Sequence, residues 1–203
     1  MSSTHVLPFA VQDNALAADL DTVGGKGLSL TRMTAAGFPV PAGFTVTTAA
    51  YRQFVSDNGL QEAIIDGAKP ELVGTAVSFD SASERIQALF AKSDLSDALK
   101  AQIAEANAAL GDGDPPVAVR SSANAEDLPD LSFAGQQDTY LNIRGRDAVF
   151  EAVRDCWASL WTARALSYRH EHAIAQEAVA MAVVVQKMVP SEVSGILFTA
   201  NPA

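Results

Sequence analysis

At 203 residues, with 48% hydrophobic and 19% charged side chains, the chain is too apolar for a disordered segment and long enough to bury a core without staples. Acidic residues outnumber basic ones 24 to 14, a formal net charge of −10, so no basic stripe exists for nucleic acid or an anionic membrane surface. A nucleotide is not excluded: a small anion needs a few placed cations and N–H groups, and its Mg²⁺ tolerates acidic surroundings. The single cysteine, Cys156, permits no internal disulfide and no Cys-rich zinc site. The first residues lack a basic, apolar leader, and the run Ala178 to Val185 is far short of the roughly 20 residues a membrane helix needs. The expectation is a soluble, cytoplasmic protein of one domain, or one and a half.

In chain order, Val6 to Val23 reads as a short strand and turn leading to Gly24-Gly25-Lys26-Gly27. A helix is predicted from Leu28 to Ala36, stopped by Gly37, with Pro39 and Pro41 fixing an extended exit. Phe44 to Val46 alternates like a strand, and Thr47 or Thr48 starts a helix that ends at Asn58-Gly59. From Leu60 to Leu110 the spacing is helical, with a capping box at Ser81 and Glu84 and a second helix from Ser96. The breaker Gly111 to Pro116 is expected to be a subdomain joint.

Beyond it, Val117 to Val119 is a buried strand ending in Arg120-Ser121-Ser122, followed by a long loop, Ala123 to Gly135. Thr139 to Ile143 is a strand and Gly145 a turn. One long helix is predicted from about Asp147 to His172, with Val149, Val153, Trp157, Leu160 and Trp161 on its inner face. Val179 to Val185 is a buried strand broken at Gln186 to Pro190, and Gly195 to Thr199 starts another.

Three segments could carry chemistry. Gly24 to Gly27 opens a helix, where free N–H groups, the dipole and Lys26 suit an anion. It is no Walker A loop, since Leu20 stands where Gly is required and Gly27 where Ser or Thr is. A Gly turn with a solvated lysine is the alternative. Arg120 at a strand end, beside two hydroxyls, suits a phosphate, or else an ion pair with Glu126 or Asp127. Gly135, Gln136, Gln137 and Thr139 could form a phosphate-covering flap or an ordinary strand entry. Gln186 to Val189 could meet an adenine edge, or simply end a strand. His170 and His172 make a poor metal pair, Trp157 and Trp161 read as core, and no metal ligand is assigned.

Together these segments resemble one family. Val117-Ala-Val-Arg120-Ser-Ser-Ala-Asn-Ala-Glu-Asp-Leu-Pro129 and Ser132-Phe-Ala-Gly-Gln-Gln137-Asp-Thr-Tyr-Leu-Asn142 are similar to the nucleotide-binding domain of the phosphoenolpyruvate synthase and pyruvate, phosphate dikinase family, which includes rifampin phosphotransferase. Val23 to Gly27, Val40 to Phe44, Cys156 to Leu160, Ala165 to Arg169 and Val185 to Val189 fit as well.

The resemblance implies an α+β, ATP-grasp-type lobe. Its parts would be an N-terminal subdomain over 1–115, a phosphate-loop and adenine-side subdomain over 116–190, and the start of a second, truncated lobe over 191–203. It implies an ATP-dependent phosphotransferase that passes the β-phosphoryl of ATP to a histidine on a carrier domain, leaving AMP and phosphate. The phosphoryl then goes to pyruvate or rifampin on an acceptor domain. Lys26 and Arg120 match the phosphate-contacting, catalytic cations; Gly135, Gln136, Gln137 and Thr139 match the phosphate-side loop; Gln186, Lys187, Met188 and Val189 match the adenine segment. Ligands for Mg²⁺, and the carrier histidine, are expected outside this chain, with weak ATP affinity in their absence. The alternatives are a non-catalytic nucleotide-binding or interaction module and an inactive fragment.

Overall fold

The computed structural model describes residues 4–9, 18–123 and 139–195. A five-stranded antiparallel sheet organises them, in the order β1 (Val6–Pro8), β2 (Gly43–Val46), β7 (Met181–Lys187), β5 (Val117–Ala123), β6 (Thr139–Ile143). Strands from both sides of the Gly111 to Pro116 segment therefore share one sheet. The helices are α1 (Leu20–Ala35), α2 (Thr48–Asp57), α3 (Gln61–Gly67), α4 (Asp80–Lys92), α5 (Asp97–Ala108), α6 (Arg146–Ser159) and α7 (Ala163–Glu171). The class is α+β. Among the described residues no helix is long and apolar enough to cross a membrane.

The pleat divides the sheet into two unlike faces. Phe44 lies opposite Val185, and Val185 opposite Val119, so these three share a face with Val46, Val183 and Val117. That face is the core. Tyr51, Phe54, Phe90 and Trp157 pack on it, with the Phe54 and Trp157 rings 5.0 Å apart. The Trp157 indole N–H donates to the Met181 carbonyl at 3.2 Å, and that of Trp161 to the Tyr51 hydroxyl at 3.2 Å, so both tryptophans bury their polar atom satisfied. The opposite face carries Thr45, Val184, Arg120 and Ser122 and is covered in part by α1.

Several sequence expectations change. The Gly24 to Gly27 run lies inside α1: helical turns precede it, and Gly24 interrupts the helix with φ 66° and ψ 174°. A second helical segment then runs to Ala35, where Gly37 (φ 80°) ends it as expected, with the Phe38 N–H bonded to the Met33 carbonyl. The long helical stretch from Leu60 is interrupted by a hairpin, β3 (Glu71–Val73) and β4 (Ala76–Ser78), turned at Gly74 with φ 66°. Its Leu72, Val73 and Val77 are exposed, so no buried alternation announces it. The Ser81–Glu84 capping box does not form; α4 starts two residues earlier, with Phe79 at the cap position, and its Asp80 N–H is taken by Ser78 Oγ.

β5 runs on through Ala123, because every residue from Val117 to Ala123 faces a partner on β7. The single helix expected up to His172 is two. The turn at Leu160 to Thr162 separates them, and Thr162 Oγ1 caps α7 by accepting the Ala165 N–H. Leu160 and Trp161 continue the apolar spacing through the turn, which hides the break. β7 extends to Lys187. The strand predicted to start at Gly195 lies outside the described residues from 196 on.

Candidate nucleotide site

The site grows from one hydroxyl. Ser122 is fully buried on the α1 side of β5, accepting the Gly27 N–H at 3.1 Å and donating to the Val23 carbonyl at 2.8 Å. Val23 ends the first helical segment of α1, and Gly27 lies in the first turn of the second. One side chain thus satisfies an orphan carbonyl and an orphan N–H at the break. The approach is close enough to require glycine: a Cβ on Gly24 would stand 2.1 Å from the Ser122 carbonyl oxygen. A Cβ on Gly27 would meet Thr45 Oγ1 at 3.0 Å.

This arrangement docks the helical turn carrying Lys26 onto the sheet face that carries Arg120. Arg120 and Ser122 are two residues apart on β5 and point the same way. Arg120 faces Val184 on one side and Thr139 on the other, so Thr139 is its direct cross-strand neighbour. Lys26 and Arg120 are both half-buried. The two hydroxyls beside Arg120 separate. Ser121 lies on the core face, and Ser122 is committed to α1, so neither stands open as a phosphate ligand. Sequence reading could not assign those roles, since they depend on strand parity and on a contact spanning 95 positions.

The adenine-side candidates divide. Gln186 lies opposite Ala118 on the Arg120 face, and its amide donates to the Pro41 carbonyl at 3.2 Å. Lys187 lies on the other face, with its ammonium 3.3 Å from the Leu110 carbonyl. The backbone N–H groups of Lys187 and Met188 are bonded to the carbonyls of Ala42 and Pro116, both at 2.9 Å. Met188 Sδ accepts the Asn142 N–H at 3.1 Å, tying this segment to β6, and Val189 is exposed. Leu141, exposed and two residues from Thr139, extends the same face of β6 and was not singled out in the sequence. Gly135, Gln136 and Gln137 lie outside the described residues, as do Glu126 and Asp127. Among the described residues no group of three or more His, Cys, Asp or Glu side chains could hold a metal.

Comparison with known proteins gives a consistent picture. Residues 20–203 match the family model described as pyruvate phosphate dikinase, AMP/ATP-binding domain. The chain is 48% identical over 195 residues to the phosphoenolpyruvate synthase of Aeropyrum pernix, covering 90% of this chain and 23% of that protein. It is 44% identical over 189 residues to the probable phosphoenolpyruvate synthase of Methanothermobacter thermautotrophicus, covering 91% and 28%. It is 40% identical over 220 residues to the phosphoenolpyruvate synthase of Pyrococcus furiosus, covering 91% and 27%. The chain spans about a quarter of the length of these relatives.

Proposed function

The chain belongs to the pyruvate phosphate dikinase AMP/ATP-binding domain family, and we propose that it supplies one wall of an ATP-grasp nucleotide site in a phosphotransferase. Lys26 and Arg120 neutralise the triphosphate, and Thr139 offers a hydroxyl beside Arg120. Gly135, Gln136 and Gln137 cover the phosphates. The adenine base lies toward Gln186, Met188 and Val189, with Lys187 acting through its backbone. Phosphoryl transfer asks mainly for positioning and charge neutralisation, and cations with N–H donors are what this face provides.

The observation that supports this reading most directly is the Ser122 clamp. It docks the turn bearing Lys26 on the strand bearing Arg120, and both residues are half-buried in an acidic protein. Mg²⁺ fits as the companion of the nucleotide, bound through its phosphates, and no residue of this chain is assigned to hold it.

In this reading the β-phosphoryl of ATP passes to a histidine on a carrier domain, with one water consumed and AMP and phosphate released. An acceptor domain then receives the phosphoryl on pyruvate or an antibiotic such as rifampin. Carrier and acceptor belong to a longer protein or to a separate subunit. By residues, 1–115 and 116–190 form the two parts of this wall, and 191–203 begins the facing lobe.

Thermal denaturation with added ligands tests the phosphate-first character of the site. Mg·ATP and tripolyphosphate are expected to raise the Tm, and adenosine to raise it less. Stabilisation by adenosine alone, with none from tripolyphosphate, contradicts the roles given to Lys26 and Arg120.

A further inference from the structure

The two parts of α1 are held to different degrees. Its first turn is anchored at both sides: Asp19 accepts the Thr22 N–H at 2.7 Å, and Thr48 Oγ1, at the start of α2, donates to the Asp21 carbonyl at 2.7 Å. Beyond the break at Gly24, the segment that carries Lys26 has Gly25, Gly27 and Thr31 as its buried residues. No large apolar side chain roots it in the core, and its Met33 is 40% exposed. Ser122 tethers it through the Gly27 N–H, three residues after a glycine at φ 66°. A helix seated on glycines with few buried apolar contacts belongs to the mobile end of local stability.

Beneath this segment lies an unfinished contact. Thr45 stands in β2 opposite Val184, on the face that carries Arg120. It is completely buried, and its Oγ1 has no hydrogen-bond partner among the described residues. Gly27 lies over this hydroxyl: a Cβ there would stand 3.0 Å from Thr45 Oγ1 and 3.4 Å from its Cγ2. A valine would fill the same space without the cost of an unpaired buried polar atom. The hydroxyl also sits under the first turn of a helical segment, where backbone N–H groups lack acceptors of their own.

We infer that Thr45 is a positioning residue of the nucleotide site, an inference that rests on the phosphate role proposed for Lys26. On nucleotide binding the segment pivots at Gly24 and settles onto the sheet. The Thr45 hydroxyl then accepts a backbone N–H of its first turn, alongside the Ser122 bond. A phosphate held by Lys26 supplies the differential interaction that favours the settled position. The bond is unmade without ligand and made with it, so it contributes to nucleotide affinity although Thr45 is too deep to touch the nucleotide.

The test compares the full wild-type chain with Thr45→Val, which removes the hydroxyl at nearly constant shape, and Thr45→Ser, which keeps it. Each is unfolded in urea without ligand and titrated calorimetrically with Mg·ATP. Thr45→Val is expected to raise the ligand-free midpoint, because an unpaired buried hydroxyl is gone, and yet to weaken Mg·ATP about fivefold or more. Thr45→Ser is expected to lower the midpoint through the lost methyl and to bind within about twofold of wild type. These opposed signs separate positioning from a purely structural role. Unchanged affinity in Thr45→Val, with wild-type binding intact, overturns the inference and leaves the roles of Lys26 and Arg120 standing. A lowered ligand-free midpoint in Thr45→Val also overturns it, since the hydroxyl is then already paired. Absence of Mg·ATP binding to the wild-type chain overturns the phosphate reading and this inference with it.

Discussion

Ser122 Oγ accepts the backbone N–H of Gly27 at 3.1 Å, a buried bond between strand β5 and the broken helix α1. Through it, the turn carrying Lys26 is docked on the strand carrying Arg120. Ser122→Ala strips both the Gly27 N–H and the Val23 carbonyl of their partner, with an expected cost of about 2 kcal/mol or more. Urea unfolding measures this directly. The same variant should weaken nucleotide binding, because the clamp that holds the Lys26 turn is gone.

The helix break makes a sharper pair of variants. Gly24→Ala must place a methyl 2.1 Å from the Ser122 carbonyl oxygen at φ 66°. Gly37→Ala meets nothing within 4 Å and carries conformational strain alone, at φ 80°. The second change is expected to cost about 1 kcal/mol and the first several times that, or to prevent folding. Comparable midpoints for the two variants in denaturant would refute the close docking of α1.

Arg169 offers a test of buried charge. Its guanidinium lies 5.0 Å from the Trp161 ring centre, its Nε donates to Gln176 at 2.7 Å, and its Nη2 is buried without a partner among the described residues. Burial lowers its pKa to about 10. Because Met fills similar volume without the charge, Arg169→Met is expected to change stability by less than about 1 kcal/mol, or to increase it. Arg169→Ala leaves a void beside Trp161 and should cost more. Thermal melts of the two variants distinguish packing from charge.

Asp155 sets a pH dependence. Partial burial raises its carboxyl pKa, with Glu151 adding to the shift and Arg154 opposing it. The folded state therefore binds this proton more tightly than the unfolded state, and stability contributed here falls as pH rises through the raised value. Asp155→Asn should raise the Tm at neutral pH and leave it unchanged well below the ordinary aspartate range. A variant less stable at neutral pH would show that the Arg154 pairing outweighs burial.

What the sequence made legible follows from which forces act locally. The α2 helix, the β2 and β6 strands and the Val149–Val153–Trp157 face are visible because burial and spacing coincide there. The break at Gly24 is not, since its φ is fixed by a strand nearly a hundred residues away. The turn between α6 and α7 hides behind Leu160 and Trp161, which stay buried through it. At the site, the charge and placement of Lys26 and Arg120 made them candidates. The turn of Lys187 to the far face, and the commitment of Ser122 to α1, follow from strand register, which no local pattern specifies.

The most direct test of the nucleotide wall is calorimetric titration of Mg·ATP into the chain and into Lys26→Ala and Arg120→Ala. The account predicts measurable binding that each substitution weakens by about tenfold or more, with unfolding midpoints little changed. Binding that survives both substitutions unaltered would contradict it.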